Sequence, residues 1–129
     1  MNIILLLGGI LGLSSVMIAA YVDHSLGASL SAKALSSVLT AVRYHQLYAL
    51  LITIIGICLP LQTNYRCKSW LTRAVAIFLI GIVLFSASIY SAYIFGMSFL
   101  TSLAPIGGTL LMLGWVCLIR LAFLYNDKY

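Results

Sequence analysis

Four long apolar runs divide this chain. They cover residues 3–22, 44–61, 74–95 and 105–125. A helix that crosses a bilayer needs about 20 predominantly apolar residues, so each run is long enough to span one. Pro60 stops the second run, and Pro105 suits the first turn of a fourth helix. The pattern predicts four membrane-spanning helices. We expect the first to be retained, because the opening "MN" lacks the cations of a signal peptide.

The segment between the first two runs, residues 29–43, has a different pattern. Its apolar side chains share one side of a helix and its polar side chains the other, with Ser29 in the N-cap position. This pattern predicts an amphipathic helix. No helix-breaking residue separates it from Tyr44, so three arrangements stay open. The segment lies in the membrane interface, folds over the mouth of the bundle, or runs into the second membrane helix.

The composition is typical of a membrane protein. Hydrophobic residues make up 64% of the 129 residues and charged residues 7%, whereas soluble domains are about a quarter charged. A soluble fold of this size buries only about two-thirds of the surface of its unfolded chain, which is too little to hide so much apolar surface. We therefore predict one membrane domain over residues 1–129. Its fold is an all-α integral membrane four-helix bundle, with an amphipathic interfacial helix between helices 1 and 2.

The Lys and Arg residues are scattered, so they form no basic face for nucleic acid. In membrane proteins these residues report orientation, because cytoplasmic loops are enriched in them. With four spans, one side of the membrane holds Lys33 and Arg43. The other side holds the rest, namely Arg66, Lys68, Arg73, Arg120 and Lys128. We therefore expect both termini in the cytoplasm.

The sequence contains no motif for catalysis or for metal binding. Its cysteines form no CxxC pair, and it has no Gly-rich phosphate loop, HExxH motif, nucleophile elbow or paired carboxylates. No Asp, Glu, Lys or His falls at the predicted centre of a helix, where proton- and ion-coupled transporters need ionisable groups. We therefore predict that the protein is not an enzyme, holds no metal or other cofactor, and is poorly suited to transport.

Small and hydroxylated residues mark the predicted helix contacts. Lipid gives helices no hydrophobic reason to associate, so close packing and interhelical hydrogen bonds must hold a bundle together. In the third helix, Ser86, Tyr90 and Tyr93 share one face, which fits either interhelical hydrogen bonds with a tyrosine belt or a polar groove. The predicted packing residues are Gly8, Gly12, Ser86, Ser88, Tyr90, Pro105, Gly107, Gly108 and Gly114.

Asp23 and His24 stand together at the end of the first apolar run, although the whole chain has only two acidic residues and two histidines. Arg43 and His45 stand at the predicted start of the second helix. If the two helices are antiparallel neighbours, these four side chains reach the same depth at the outer mouth of the bundle. Asp23 then pairs with Arg43, since a lone charge is costly at the edge of the hydrocarbon. Alternatively, the histidines ligate a haem or a metal ion, or the group faces a partner protein.

Five motifs occur in a specific order along the chain. "DHSL" follows the first helix, "TAVRYHQLYALL" opens the second, "LFSASIY" lies in the third, and "APIGG" and "GW" lie in the fourth. This series resembles the domain of unknown function 423 family, which comprises small bacterial inner-membrane proteins with mitochondrial relatives called transmembrane protein 256. The resemblance implies a four-helix membrane fold in the bacterial inner (cytoplasmic) membrane, and it supplies no reaction.

The chain departs from the family pattern near its polar residues. His24 matches the histidine that follows helix one in the family, but Asp23 stands where a small residue is expected. Tyr48 occupies the position of an expected histidine, and His45 stands one turn earlier on the same helix face. With Arg43, the resemblance therefore implies a hydrogen-bonded polar cluster at the outer mouth of the bundle, and not a fixed pair of histidine ligands.

The leading hypothesis is a non-enzymatic accessory or assembly protein that binds membrane lipid, another membrane protein or a second copy of itself. One alternative is a small haem- or metal-binding redox protein that uses His24 and His45. Another alternative is a small transporter or channel, which would need several copies because one such bundle has no obvious pore.

Overall fold

The computed structural model of the chain describes residues 1–126. Within them the chain forms helices and short connections, with no strand. Four helical stretches are long and apolar enough to cross a membrane: Ile3–Leu26, Ala32–Leu61, Tyr65–Ile94 and Ser98–Leu124. The prediction of an all-α membrane bundle of four helices is confirmed. Lys128, which entered the comparison of positive charges, lies outside the described residues.

The first span consists of helix α1, Ile3–Tyr21, and a π-helical turn, Val22–Leu26, that follows without a break. Asn2 caps α1, because its side-chain oxygen accepts the backbone N–H of Leu5 at 3.1 Å. The polar residues of the "DHS" stretch therefore lie inside the helical span. The apolar pattern had placed the end of this helix at residue 22, just before them.

The second span is one helix, α2, over Ala32–Cys58. The predicted amphipathic segment 29–43 forms its N-terminal part, so both the separate interfacial helix and the start of the second span at residue 44 are corrected. The apolar side of this part is buried within the bundle, where Val38 and Ala41 expose no surface. Facing helices can pack closely around such a stripe, which a fluid membrane interface cannot do.

Local hydrogen bonds set the ends of α2. Ser31 caps the helix by accepting the backbone N–H of Ala34 at 3.3 Å. Ser29, the predicted cap, instead donates its hydroxyl to the backbone oxygen of Leu26 at 3.0 Å. At its other end α2 passes into a 3₁₀ turn, Leu59–Leu61, which contains a proline.

The third span begins with helix α3, Tyr65–Ile82, and not at residue 74 as predicted. Asn64 starts the helix early, because its side-chain oxygen accepts the backbone N–H groups of Arg66 at 2.9 Å and Cys67 at 3.4 Å. The cationic residues before position 74, which in the sequence had the character of loop residues, therefore lie on the first turns of the helix. Their apolar neighbour Cys67 is buried.

A second π turn, Val83–Ala87, interrupts this span, which continues as α4, Ser88–Ile94. Gly96 then adopts a φ of 73°, a left-handed conformation that glycine tolerates best, and the chain reverses there. A 3₁₀ segment, Ser98–Leu103, leads into helix α5, Ala104–Asn126. The bounds of α5 lie close to those predicted for the fourth span.

The helices pack as two hairpins. Helix α1 lies along α2, and α5 lies along α3, while contacts of α2 with α3, α4 and the second π turn join the hairpins. One core cluster includes Ile52 and Phe78, and the other includes Val38 and Ile89. Along α2, position 45 falls between the residues of the two clusters. His45 therefore lies at the boundary between two apolar cores.

Candidate functional site

Three of the four spans meet at the side chain of His45. This residue is the central one of α2, and it is 7% exposed. Its Nε2 lies 3.4 Å from the hydroxyl oxygen of Ser14 on α1, and its Nδ1 lies 3.4 Å from that of Tyr90 on α4. Both distances are at the long end of the hydrogen-bond range. Because Ser14 is near the middle of the first span, the imidazole lies deep in the bundle.

The hydroxyl groups around the imidazole give a consistent direction to these hydrogen bonds. Ser14 donates its hydroxyl to the backbone oxygen of Leu11 at 3.1 Å, so it is available to His45 as an acceptor. Nε2–H then donates to Ser14, and Nδ1 accepts from the Tyr90 hydroxyl. The arrangement suits a neutral imidazole, which has one donor and one acceptor nitrogen, and it assigns the hydrogen to Nε2.

The second π turn and α4 build the wall opposite His45. Ser86, in the turn, donates its hydroxyl to the backbone oxygen of Ala41 at 3.0 Å, a buried hydrogen bond between two spans. The ring centroid of Tyr90 lies 6.0 Å from that of the imidazole. The π turn and the helix after it thus place two hydroxyl groups against α2. Such turns are rare, and they are frequent at functional sites.

A cavity of about 200 Å³ lies beside these groups. His45, Ser86 and Tyr90 line it and are buried, so they form its floor. Val83 and Ala87 also line it but are exposed, so they form its rim. The other lining side chains are apolar. The cavity therefore opens on the outer surface of the third span, which faces lipid. Its own surface is apolar, and the polar atoms of the floor residues lie behind that surface.

The order Ser14, His45, Tyr90 resembles the nucleophile, base and orienting group of a hydrolase, but the geometry does not favour that chemistry. A nucleophilic serine must donate its hydroxyl to the base, whereas Ser14 donates to Leu11. Ser14 is also not among the residues that line the cavity, where a substrate would bind. Its hydroxyl is placed to hold the imidazole.

The structure does not bring the predicted outer cluster together. Asp23, His24 and Arg43 are exposed, and within residues 1–126 none of the three has a side-chain hydrogen bond or an ion pair. His45 is level with Ser14, and Asp23 lies about 13 Å further along the first span at about 1.5 Å per residue. The expected common depth, the expected ion pair and the expected juxtaposition of the two histidines are therefore not observed.

The early start of α2 explains this difference. The apolar pattern placed His45 in the first turn of a helix, whereas α2 begins at Ala32 and His45 lies at its centre. The expectation that no ionisable side chain occupies the centre of a helix is thereby corrected. Lys33 is compatible with a long helix because it lies in the first turn of α2, from which a long cationic side chain can reach the headgroups. Arg43 lies two residues from His45, on the exposed side of the helix.

Tyr48 takes part in a separate contact on another side of α2. Its hydroxyl accepts the indole N–H of Trp115 at 2.7 Å, which links α2 to α5. Its ring centroid lies 5.1 Å from that of Phe78 on α3. Tyr48 thus faces α3 and α5, whereas His45 faces α1 and α4, and the two residues do not form one site.

Some predicted packing residues lie at close contacts between helices. A Cβ atom at Gly8 would meet the backbone of Thr53 on α2. A Cβ atom at Gly107 would meet the backbone of Phe85 in the second π turn. Gly114 faces an aromatic ring of α3 at similarly short range. At these three positions glycine is required by the approach of the neighbouring helix.

Other predicted packing residues are not at close contacts between spans. Gly12 has open space where a Cβ atom would lie, and Gly108 has only the ring of Phe85 at 3.9 Å. Ser88 donates its hydroxyl to the backbone oxygen of Phe85, within its own span. Pro105 is exposed in the first turn of α5.

The described residues contain no group of three or more His, Cys, Asp or Glu side chains placed to hold a metal ion. His24 is exposed on the first π turn, and His45 is enclosed between Ser14 and Tyr90. The chemistry available at the buried site is therefore neutral hydrogen bonding beside an apolar space.

Sequence reasoning did not identify Ser14, Trp115 or Gly56 as contact residues. Ser14 could not be paired with His45 before the start of α2 was known, because that start sets which residues of α1 and α2 are level. The spacing of Ala49, Thr53 and Gly56 along one side of α2 was the available signal, since small residues at three- and four-residue intervals favour close helix contacts.

Comparisons with known proteins relate the chain to bacterial membrane proteins. Residues 18–108 match the model of a family described as protein of unknown function (DUF423). A UPF0382 membrane protein of Haemophilus influenzae is 30% identical over 107 residues, which cover 83% of this chain and 82% of the relative. UPF0382 membrane protein SH2409 of Staphylococcus haemolyticus is 32% identical over 124 residues, with 95% and 97% covered. UPF0382 membrane protein YwdK of Bacillus subtilis is 29% identical over 125 residues, with 97% and 99% covered. No solved structure matches the chain.

Proposed function

The chain belongs to the DUF423 family of membrane proteins, and from that premise we propose that it is a non-enzymatic protein that binds an uncharged amphiphile of the bilayer. One end of the amphiphile enters the cavity beside His45. The observation that carries the proposal is an apolar cavity that opens on the lipid-facing side directly over the buried side chains of His45, Ser86 and Tyr90. Of the partners expected from the sequence, this geometry favours lipid over a second protein.

The size of the cavity favours one end of a molecule over a whole ligand. Pockets that enclose drug-sized ligands measure about 300–1,000 Å³. This cavity measures about 200 Å³, which is below that range. A small head group fits such a space, and its hydrocarbon tail can stay in the bilayer beside Val83 and Ala87.

The chemistry of the floor favours an uncharged head group. The imidazole of His45 and the hydroxyl groups of Ser86 and Tyr90 lie behind the apolar surface of the cavity. After a small change of their side-chain positions they can exchange hydrogen bonds with a hydroxyl or carbonyl oxygen. Because the two contacts of His45 are long, at 3.4 Å, a ligand oxygen can compete for them. The lining contains no carboxylate or cationic Lys or Arg that could neutralise a charged head group.

The alternatives from the sequence have less support. A haem or metal site needs His24 near His45, and His24 is exposed on the first π turn. A transport function gains one argument, because His45 is a central intramembrane residue. However, a cavity that opens sideways through Val83 and Ala87 suits exchange with the bilayer better than passage across it.

We also propose that the protein lies in the cytoplasmic membrane with both termini in the cytoplasm. Arg66, Lys68, Arg73 and Arg120 belong to the end of the bundle that carries the start of α1, and Lys33 belongs to the other end. The positive-inside rule then supports this orientation. Reporter fusions at the N-terminus and after Gly96 would test it, and an outward N-terminus would overturn it.

The test of ligand binding compares the small molecules that co-purify with the wild type and with matched variants. The protein is extracted from its own membrane into polymer nanodiscs and analysed by native and lipid mass spectrometry. We expect one uncharged amphiphile to be enriched over bulk lipid. Ala87→Trp, which fills the rim, should reduce the enrichment at least fivefold, and His45→Leu should reduce it by removing the hydrogen bonds.

The control is Ile119→Trp, which places the same bulky ring on a lipid-exposed position of α5 away from the cavity. This variant should keep the enrichment. Equal enrichment in the wild type and Ala87→Trp, or no enriched species in the wild type, would refute the proposed function.

A further inference from the structure

Two arginines approach one tryptophan at the end of the bundle opposite Asp23. The Cζ atom of Arg73, on α3, lies 5.5 Å from the centroid of the Trp70 ring, and the Cζ atom of Arg120, on α5, lies 5.7 Å from the same centroid. Trp70 and Arg73 are three residues apart and so share a face of α3. The group therefore bridges two spans, at a place distinct from the cavity beside His45.

These guanidinium groups have no carboxylate among the residues that the structure describes. The chain contains only two acidic side chains, Asp23 and Asp127. Asp23 lies at the other end of the bundle, and Asp127 is outside the described residues. An aromatic ring attracts a cation through its quadrupole, but it does not neutralise the charge. The two positive charges are thus held together by a neutral ring, and they leave an attraction for an external anion.

The site lies where the phosphate layer of the membrane is expected. The long apolar run of the third span begins at residue 74, directly after Arg73. Tryptophan is enriched at the level of the headgroups, where its ring is amphipathic. Trp70 is half-buried, and both arginines are exposed, so the guanidinium groups are accessible to a headgroup. Arg66 and Lys68 add positive charge on the preceding turns of α3.

We propose that Trp70, Arg73 and Arg120 form a binding site for the headgroup phosphate of an anionic phospholipid. Guanidinium groups match phosphate oxygens through paired N–H donors, and Trp70 holds both groups at the required depth. Basic pockets between membrane helices on the cytoplasmic side bind anionic lipids in this way. The bound lipid would bridge α3 and α5 and thereby stabilise the second hairpin.

The test measures the melting temperature of the full-length protein in nanodiscs of phosphatidylcholine alone and of phosphatidylcholine with 30% phosphatidylglycerol. We expect phosphatidylglycerol to raise the melting temperature of the wild type by several degrees. In the double variant Arg73→Gln, Arg120→Gln, most of this rise should disappear. Arg43→Gln is the matched control, because it also removes an exposed arginine, and it should keep the rise.

Native mass spectrometry of the same samples provides a second readout that does not depend on stability. The wild type and Arg43→Gln should retain phosphatidylglycerol at a collision energy at which the double variant loses it. Equal retention in all three proteins would overturn the proposal. So would an equal rise in melting temperature from inorganic phosphate in phosphatidylcholine nanodiscs, which would identify a free-anion site. Loss of retention in Asp127→Asn together with an unchanged double variant would also overturn it.

Discussion

The two helical hairpins use glycine in different ways. In the α1–α2 hairpin, a Cβ atom at Gly8 would lie 2.8 Å from the backbone nitrogen of Thr53, and one at Gly56 would lie 2.7 Å from that of Leu5. Each helix thus places a glycine against the main chain of the other. Asn2 strengthens this contact, because its side-chain amide donates to the backbone oxygen of Gly56 at 2.7 Å.

In the α3–α5 hairpin, a large side chain of one helix packs against a glycine of the other at two places. Gly81 on α3 faces the side chain of Leu111 on α5, and Gly114 on α5 faces the ring of Phe78 on α3. Only at Gly107 does the facing surface consist of main-chain atoms. The first hairpin therefore depends on a short distance between two backbones, and the second depends mainly on fitted side chains.

The difference shows two ways in which a bundle can gain packing energy in lipid, where the hydrophobic effect does not drive helices together. Contacts between two backbones cannot be relieved by a change of rotamer. When a methyl group is added to a glycine that faces a side chain, that side chain can change its rotamer and relieve part of the clash. Substitutions at the glycines should therefore separate the two kinds of contact.

Gly107→Ala should have the largest effect. Its Cβ atom would meet main-chain atoms from two turns of the facing span, with the backbone oxygen of Gly81 at 2.7 Å and the Cα of Phe85 at 2.8 Å. We expect the free energy of unfolding in a detergent titration to fall by about 3 kcal/mol. Gly108→Ala is the control on the next residue, and it should be neutral or slightly stabilising. Equal losses in both variants would refute this account of the contact.

Gly8→Ala should cost less, about 2 kcal/mol of the free energy of unfolding, because its Cβ atom would meet a single residue, Thr53. Gly12→Ala, on the same helix, faces open space and should be neutral. The same titration, combined with disulfide trapping between α1 and α2, would check whether the hairpin separates. A destabilised Gly12→Ala variant would instead indicate a contact with another molecule at that face.

Tyr48→Phe tests the hydrogen bond that connects the hairpins. Removing the acceptor of the Trp115 indole N–H should cost about 0.6 kcal/mol, the typical value for hydrogen bonds between membrane helices. A double-mutant cycle with Trp115→Phe measures the coupling directly. Coupling near zero would mean that the hairpins associate without help from this bond.

The coupling between Asp23→Asn and Arg43→Gln should be the smallest effect, within about 0.5 kcal/mol, because both side chains are exposed and neither has an ion pair within residues 1–126. The double variant should show additive changes in the free energy of unfolding. A favourable coupling above about 1 kcal/mol would restore the ion pair that the sequence suggested.

The four spans could be predicted because their signal is length and lack of charge, and lipid imposes both. The start of α2 could not be predicted from the same signal. Lys33 and Arg43 resemble loop residues, yet one buried side of the helix is enough to keep their segment inside the bundle. The same reasoning failed at Tyr65, where an N-cap at Asn64 outweighs the cations that follow.

Sequence reasoning identified residues of the candidate site, but it did not predict how they are arranged in space. His45, Ser86 and Tyr90 were all selected, but in two unrelated groups. Their proximity depends on which residues of neighbouring spans are level, and that register is a property of tertiary packing that no local pattern contains. Neither π turn left a sequence signal, because a π turn differs from an α-helix by one residue and not by composition.

The second π turn also bears on how the family can vary in length. Val83–Ala87 accommodates an additional residue within a continuous helix. Deletion of one codon there would restore a regular α-helix and leave the following residues on nearly the same side of the span, because the wide turn had absorbed the additional residue. Tyr90 would then keep its place beside His45, and the span would still cross the membrane. In an alignment of DUF423 proteins, a single gap at this stretch would therefore be compatible with a tyrosine beside the imidazole.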